Sequence, residues 1–125
     1  MRLISGLFFI TLSCVLLNSC ATSTNNRCVV VATITPPVAS SDHTAAPPAN
    51  QVQFSLSSKV QGNCPLTADK LGNWSTSDPA NTAISSQPNS YGVATCINAT
   101  STPATITNDG NIRGYSFTPS TLTCK

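Results

Sequence analysis

Six cysteines, one histidine and four aspartates are the residues of this 125-residue chain best equipped for chemistry. The cysteines stand at positions 14, 20, 28, 64, 96 and 124. No two of them form a C-x-x-C pair, the spacing that a zinc knuckle or a thioredoxin-like redox site requires. The histidine lies in Ser41-Asp42-His43-Thr44, where a serine, a carboxylate and an imidazole are neighbours. A hydrolytic triad is assembled in space from distant segments, and the chain has no G-x-S-x-G elbow to present a nucleophile. His43 therefore reads as a histidine on a polar loop. Asp42, Asp69 and Asp109 are too dispersed for a D-x-D-x-D calcium loop. Asp78 precedes Pro79 and reads as the acceptor of an Asx-type turn. Glutamate is absent altogether. The inventory predicts no catalytic residue, no metal site and no cofactor.

Charge is scarce as well. Only 8% of residues are charged, against about 25% in an average globular domain. The net charge of +2 is not gathered into a basic cluster, so nucleic acid has no electrostatic footprint to bind. Low charge, nine prolines and many β-branched residues fit a β-domain exported from the cytoplasm.

The N-terminus supplies a route for export. Arg2 is followed by an apolar run from Leu3 to Leu17 that breaks at Asn18-Ser19-Cys20. Such a run is shorter than the roughly 20 apolar residues of a membrane-spanning helix and has the layout of a secretory signal. Leu17-Asn18-Ser19-Cys20 resembles the lipobox of bacterial lipoproteins. The resemblance implies cleavage after residue 19 and lipidation of Cys20, which anchors the protein in a membrane. Residues 20–27 are small and polar and read as a flexible tether. Ala21 stands where an Asp usually retains a lipoprotein in the inner membrane. Its presence points to the outer membrane or cell surface. Cys14 belongs to the apolar run and leaves with the signal.

Four cysteines then remain: Cys28, Cys64, Cys96 and Cys124. An even number in an exported domain of about 100 residues implies two disulfides. Each is expected to contribute about 2–4 kcal/mol to a domain with few large apolar side chains. Four cysteines allow three connectivities, among which spacing alone does not choose.

The segments that must position these residues follow a period of two. Cys28, Val30, Ala32 and Ile34 share one parity and stop at Pro36-Pro37, because proline cannot donate to a ladder. The stretch 38–50 reads as an edge segment or loop. Val52, Phe54 and Leu56 alternate with polar residues in a half-buried strand. Gly62-Asn63-Cys64-Pro65 is turn chemistry, and 66–71 reads as a short helical turn or a loop. Short strands follow at 73–76, 82–85, 92–97, 104–107 and 115–124, separated by turn signals. About seven strands with such spacing predict an all-β antiparallel sandwich over residues 28–125. Trp74, Phe54, Ile34 and Ile106 are its expected core. Tyr115 and Phe117 are expected to join it after a change of register near Pro119, the alternative being an exposed aromatic face.

Trp74-Ser75-Thr76-Ser77-Asp78-Pro79, Ala83-Ile84-Ser85, Gly92-Val93-Ala94-Thr95 and Ala104-Thr105-Ile106-Thr107 together resemble the bacterial Ig-like group 2 domain of invasin and intimin type. Val52-Gln53-Phe54 and Thr33-Ile34-Thr35-Pro36 fit its earlier strands, so the resemblance covers most of the chain after the tether. The chain departs from the family pattern at Thr102-Pro103, where a Gly normally precedes A-T-I-T, and in the longer loop from Gly62 to Gly72, which carries a Cys. The resemblance implies an immunoglobulin-like antiparallel β-sandwich. It also implies a non-catalytic surface module for adhesion, protein binding or envelope structure, with an envelope or extracellular protein or a polysaccharide as partner. A monomer is expected. With the strand directions of that fold, Cys28–Cys64 and Cys96–Cys124 is the preferred pairing, and Cys64–Cys96 with Cys28–Cys124 the runner-up. The competing function is a loop-mediated inhibitor, using the Gly62–Gly72 loop, or a ligand-binding lipoprotein, with a hydrolase ranked behind both.

Overall fold

The computed structural model describes residues 27–125, so the signal segment and most of the tether lie outside the described residues. Its strands are β1 (Val29–Thr35), β2 (Val38–Ser41), β3 (Gln51–Gln53), β4 (Ser55–Gln61), β5 (Trp74–Thr76), β6 (Thr82–Ile84), β7 (Val93–Cys96), β8 (Ala104–Asn108), β9 (Asn111–Ile112), β10 (Tyr115–Ser116) and β11 (Ser120–Cys124). One 3-10 turn, Pro88–Ser90, is the only helical element among the described residues.

The chain is an all-β sandwich. One sheet has the order β2-β11-β8-β5 and the other β3-β7-β6, with a β1–β4 ribbon and a β9–β10 hairpin attached. Every pairing between these strands is antiparallel except β2 with β11, which is parallel. Alternation is visible in the burial of the strands. In β8, Ala104, Ile106 and Asn108 are buried and the intervening threonines half-buried. In β11, Ser120, Leu122 and Cys124 repeat the pattern. The core between the sheets contains Phe54 and Ile106 at 0% exposure, Ile34 at 2% and Trp74 at 6%, joined by Leu122, Ala94, Phe117 and two cysteines.

Eleven strands exceed the seven or so that the sequence predicts, and the reasons are local. The first strand position is divided by Pro36-Pro37 into β1, which pairs with β4, and β2, which crosses to the other sheet and pairs with β11. A proline pair provides no N–H, so the ladder must stop there. The second position is divided at Phe54, between β3 and β4. The hairpin β9–β10 is an addition within the connection from β8 to β11. What remains is one strand each for β5, β6, β7, β8 and β11, so seven sandwich positions underlie the larger count. The segment 66–71 has no helical turn. It runs as an extended loop, held by a bridge between Lys70 and Asn111.

Tyr115 and Phe117 part company. Tyr115 lies in the hairpin and is 45% exposed, whereas Phe117 is 6% exposed. Between them the chain leaves the hairpin and joins the edge of β1, where the Thr118 N–H donates to the Ala32 carbonyl at 2.9 Å.

The junction at Phe54 depends on Gly92. The Phe54 N–H donates to the Gly92 carbonyl and the Gly92 N–H donates to the Ser85 carbonyl, both at 2.8 Å. Gly92 has φ of 79°, and a Cβ there would collide with the Phe54 carbonyl oxygen. Both observations require glycine. Gly92→Ala is expected to lower stability by more than about 1 kcal/mol. Chemical denaturation checks it, and an unchanged midpoint would contradict this steric account.

Candidate binding surface

The triad suggested by Ser41-Asp42-His43 is taken apart by local hydrogen bonds. Ser41 Oγ donates to the Ala49 carbonyl at 2.8 Å. Asp42 Oδ1 accepts from the Thr44 N–H at 2.8 Å and from its hydroxyl at 2.7 Å. His43 Nδ1 faces the Lys125 carbonyl oxygen across the chain terminus. Each side chain of the trio is thus directed to a different partner. The Thr44 hydroxyl and then the Thr44 N–H hold the Asp42 carboxyl below its ordinary pKa, with a smaller contribution from His43. A lowered carboxylate favours the folded state above its unfolded pKa, and this contribution is lost as pH falls through the folded value. Thr44→Val removes the first cause, so the Asp42 titration followed by NMR should move upward toward that of a free Asp.

The other aspartates are also engaged in hydrogen bonds within the fold. Asp78 Oδ2 accepts from Asn81 Nδ2 at 2.8 Å, and its carbonyl accepts from the Thr82 N–H at 2.9 Å, closing the turn between β5 and β6. Asp69 Oδ1 accepts from the Arg113 N–H at 3.0 Å and Asp109 Oδ1 from the Asn73 N–H at 2.6 Å. Among the described residues no three potential metal ligands gather.

The two disulfides fasten opposite ends of the sandwich. Cys28 and Cys64 lie 4.6 Å apart at their Cα atoms, just outside the Val29–Gln61 register of the β1–β4 ribbon. Cys96 and Cys124 lie 5.5 Å apart and join the last residues of β7 and β11, which belong to different sheets. Both of these cysteines are buried. Cys20 lies outside the described residues.

Concave surface is found along the edge formed by β5 and β6. One recess of about 340 Å³ opens between the two strands and is lined by Trp74, Ser75, Thr76, Pro79, Thr82 and Ile84, with Ala83. A second, about 350 Å³, lies over β6 and β7 and is lined by Ala83, Ser85, Ser86, Gln87, Val93 and Thr95, with Ile84. No lining residue is ionisable, so hydroxyls, one amide and backbone supply the polar groups. Ser75 and Thr107 share a 2.6 Å hydroxyl pair, as do Thr76 and Thr82, and Ser85 and Ser90. Such a surface can exchange hydrogen bonds with a polar polymer or a protein backbone. It has no group of the kind that moves protons near neutral pH. Nothing in the alternating pattern marked this edge as a recess, because its shape comes from how two sheets end beside one another.

Trp74 forms the floor of the recess and is not a stacking platform. It is 6% exposed, and its ring meets Tyr91 edge-on with centroids 5.6 Å apart and an angle of 64°. Its Nε1–H finds no acceptor among the described residues. Tyr91 by contrast is well served: its hydroxyl donates to the Gly72 carbonyl at 2.6 Å and accepts from Asn108 Nδ2 at 3.0 Å. Trp74 therefore acts through packing. Trp74→Ala is expected to cost about 3–5 kcal/mol in cavity and transfer terms. Trp74→Phe, which keeps a ring and removes an unpaired donor, should cost distinctly less. Equal losses in denaturant melts would show that the indole nitrogen does matter.

The sequence matches no protein-family model and no curated protein.

Proposed function

We propose that this chain is a lipid-anchored module of the bacterial cell envelope, non-catalytic, presenting one Ig-like group 2 domain. The observation that carries the reading is the pairing of two disulfides in a domain of about 100 residues with the Leu17-Asn18-Ser19-Cys20 motif a few residues upstream. Structural disulfides belong to an oxidising compartment outside the cytoplasm, and the lipobox-like motif offers both export and anchorage. The role is adhesion, protein binding or structural spacing, toward an envelope or extracellular protein or a polysaccharide. The hydroxyl-lined β5–β6 edge supports this class of partner, since its lining residues offer hydrogen bonds without charge.

The strand order supports the family assignment. In the immunoglobulin arrangement the first strand position can divide between sheets, and the remaining strands fall into two groups. Here β1 and β2 divide in that way, with β3-β7-β6 and β11-β8-β5 as the groups. Ala21 supports the outer membrane or cell surface as destination.

The test is metabolic labelling with an alkyne fatty acid in a bacterial host that processes lipoproteins. The wild-type chain should be labelled and partition with membranes, and its mature N-terminal peptide should begin at a modified Cys20. Cys20→Ser should abolish label and processing together. Processing to an unmodified N-terminus in the wild type would replace the lipoprotein reading with a freely secreted domain.

A further inference from the structure

The N-terminal end of the sandwich collects features that its topology alone brings together. Antiparallel pairing of Val29 with Gln61 places the start of β1 and the end of β4 at one end. The loop 62–73 leaves from there, and the β9–β10 hairpin meets it. Lys70 and Asn111 exchange backbone N–H···O bonds, both at 2.9 Å. Arg113 adds a bond from Nη1 to the Pro65 carbonyl at 3.2 Å. Cys64 is bonded to Cys28. The loop is therefore fastened at both its beginning and its end.

On this fastened loop, Leu66 is 92% exposed and Leu71 77% exposed, the two highest values among the large apolar side chains described. A single exposed leucine is ordinary. Two on one fastened loop, each more than three-quarters in water, leave apolar area exposed at the same end of the sandwich. The same end carries Arg27, Lys59, Lys70 and Arg113. Its two carboxylates, Asp69 and Asp109, already accept backbone N–H groups. The opposite end has Asp42, Asp78 and, as its only basic side chain besides His43, Lys125.

We infer that this end docks on a bilayer surface, with Leu66 and Leu71 entering the headgroup–acyl boundary and Arg27, Lys59, Lys70 and Arg113 meeting lipid phosphates. Two considerations select a membrane over other occupants. The described residues begin at this same face, seven residues after Cys20. From Cys20 to Arg27 an extended chain spans at most roughly 25 Å, so an anchor at Cys20 holds this end close to the headgroups. Exposed apolar side chains that share one end with cations are also the chemistry of interfacial binding to phospholipid. The inference rests on the lipid-anchor proposal. Since several acyl chains on one cysteine already secure the protein, docking would fix orientation more than affinity. It would direct the Cys96–Cys124 end away from the membrane.

The test uses the full lipidated chain in vesicles of phosphatidylglycerol and phosphatidylcholine, with and without bromine on the acyl chains. Trp is introduced singly as Leu66→Trp, Leu71→Trp and, at the opposite end, Ala99→Trp; buried Trp74 provides a constant background. Bromolipid should reduce the added emission at 66 and 71 by about half or more and leave that at 99 unchanged. Flotation of each variant reports the anchor independently. Protein that floats with no quenching at 66 or 71 overturns the docking inference alone. Protein that does not float overturns the anchor proposal and the docking with it. If position 66 is unquenched in vesicles but shielded from acrylamide in native envelopes, a protein occupies the loop, and the bilayer inference is likewise overturned.

Discussion

The rest of the structure depends on how the strand around Phe54 is shared. Up to Gln53 its backbone bonds to β7, and from Ser55 onward it bonds to β1. Phe54 is the single residue at the change of partner. Its side chain is completely buried and its N–H is spent on Gly92, a residue of the turn before β7. A side chain of that size, desolvated at the changeover, holds both pairings to one core. If the ribbon β1–β4 were loosened there, Ile34 and Ala32 would leave the core together, and with them the edge on which Thr118 rests. Strand position, core and the N-terminal end are thus one connected constraint.

Hydroxyl groups take over much of the role that charge has in other domains. Ser120 Oγ donates to the Pro36 carbonyl from a side chain with no exposed surface, and Thr82 is equally buried. Thr82 has the Asp78 carbonyl and Thr76 Oγ1 within 2.8 Å. A hydroxyl can be buried with one or two good partners, whereas a carboxylate or ammonium needs far more to offset its desolvation. This explains how a chain with so few charged residues can still tie its edges with polar bonds. Asp42, Asp69 and Asp109 accept backbone N–H groups and Asp78 accepts the Asn81 side-chain amide, bonds that a carboxylate's charge strengthens.

Much of this was legible in the residues. Period-two burial in β8 and β11, the halt at Pro36-Pro37, and two disulfides are direct readings of alternation, missing N–H groups and cysteine number. The strand count was not, because a break such as Phe54 leaves no mark in the pattern. Val52, Phe54 and Leu56 alternate evenly, and only the choice of neighbour changes between them. Tyr115 and Phe117 share a parity and a chemistry, yet a hairpin puts one in water and the other in the core. The recess at β5 and β6 was equally hidden. Its walls are residues of opposite sheets, and Ser75, Thr76 and Ile84 carry no sign in sequence that they face one space.

Geometry also bears on where a partner could approach an anchored module. The loop 62–73 and the hairpin share the end at which the described residues begin. Gly72 sits so close to Gly110 that any side chain would strike its backbone nitrogen, so the loop and the turn before the hairpin pack backbone against backbone. A surface locked in this way is preorganised, which favours contact without ordering cost. Under the anchor proposal, the few residues between Cys20 and Arg27 limit what can reach it from solution. The β5–β6 edge lies along the flank of the sandwich, with Thr82 paired to Cys96 at one end of it, and its lining is uncharged. Under the anchor and docking proposals together, this concave surface stays open to the surroundings while the loop end faces the membrane. The arrangement follows from strand direction: antiparallel β1 and β4 bring the long loop back to the start of β1.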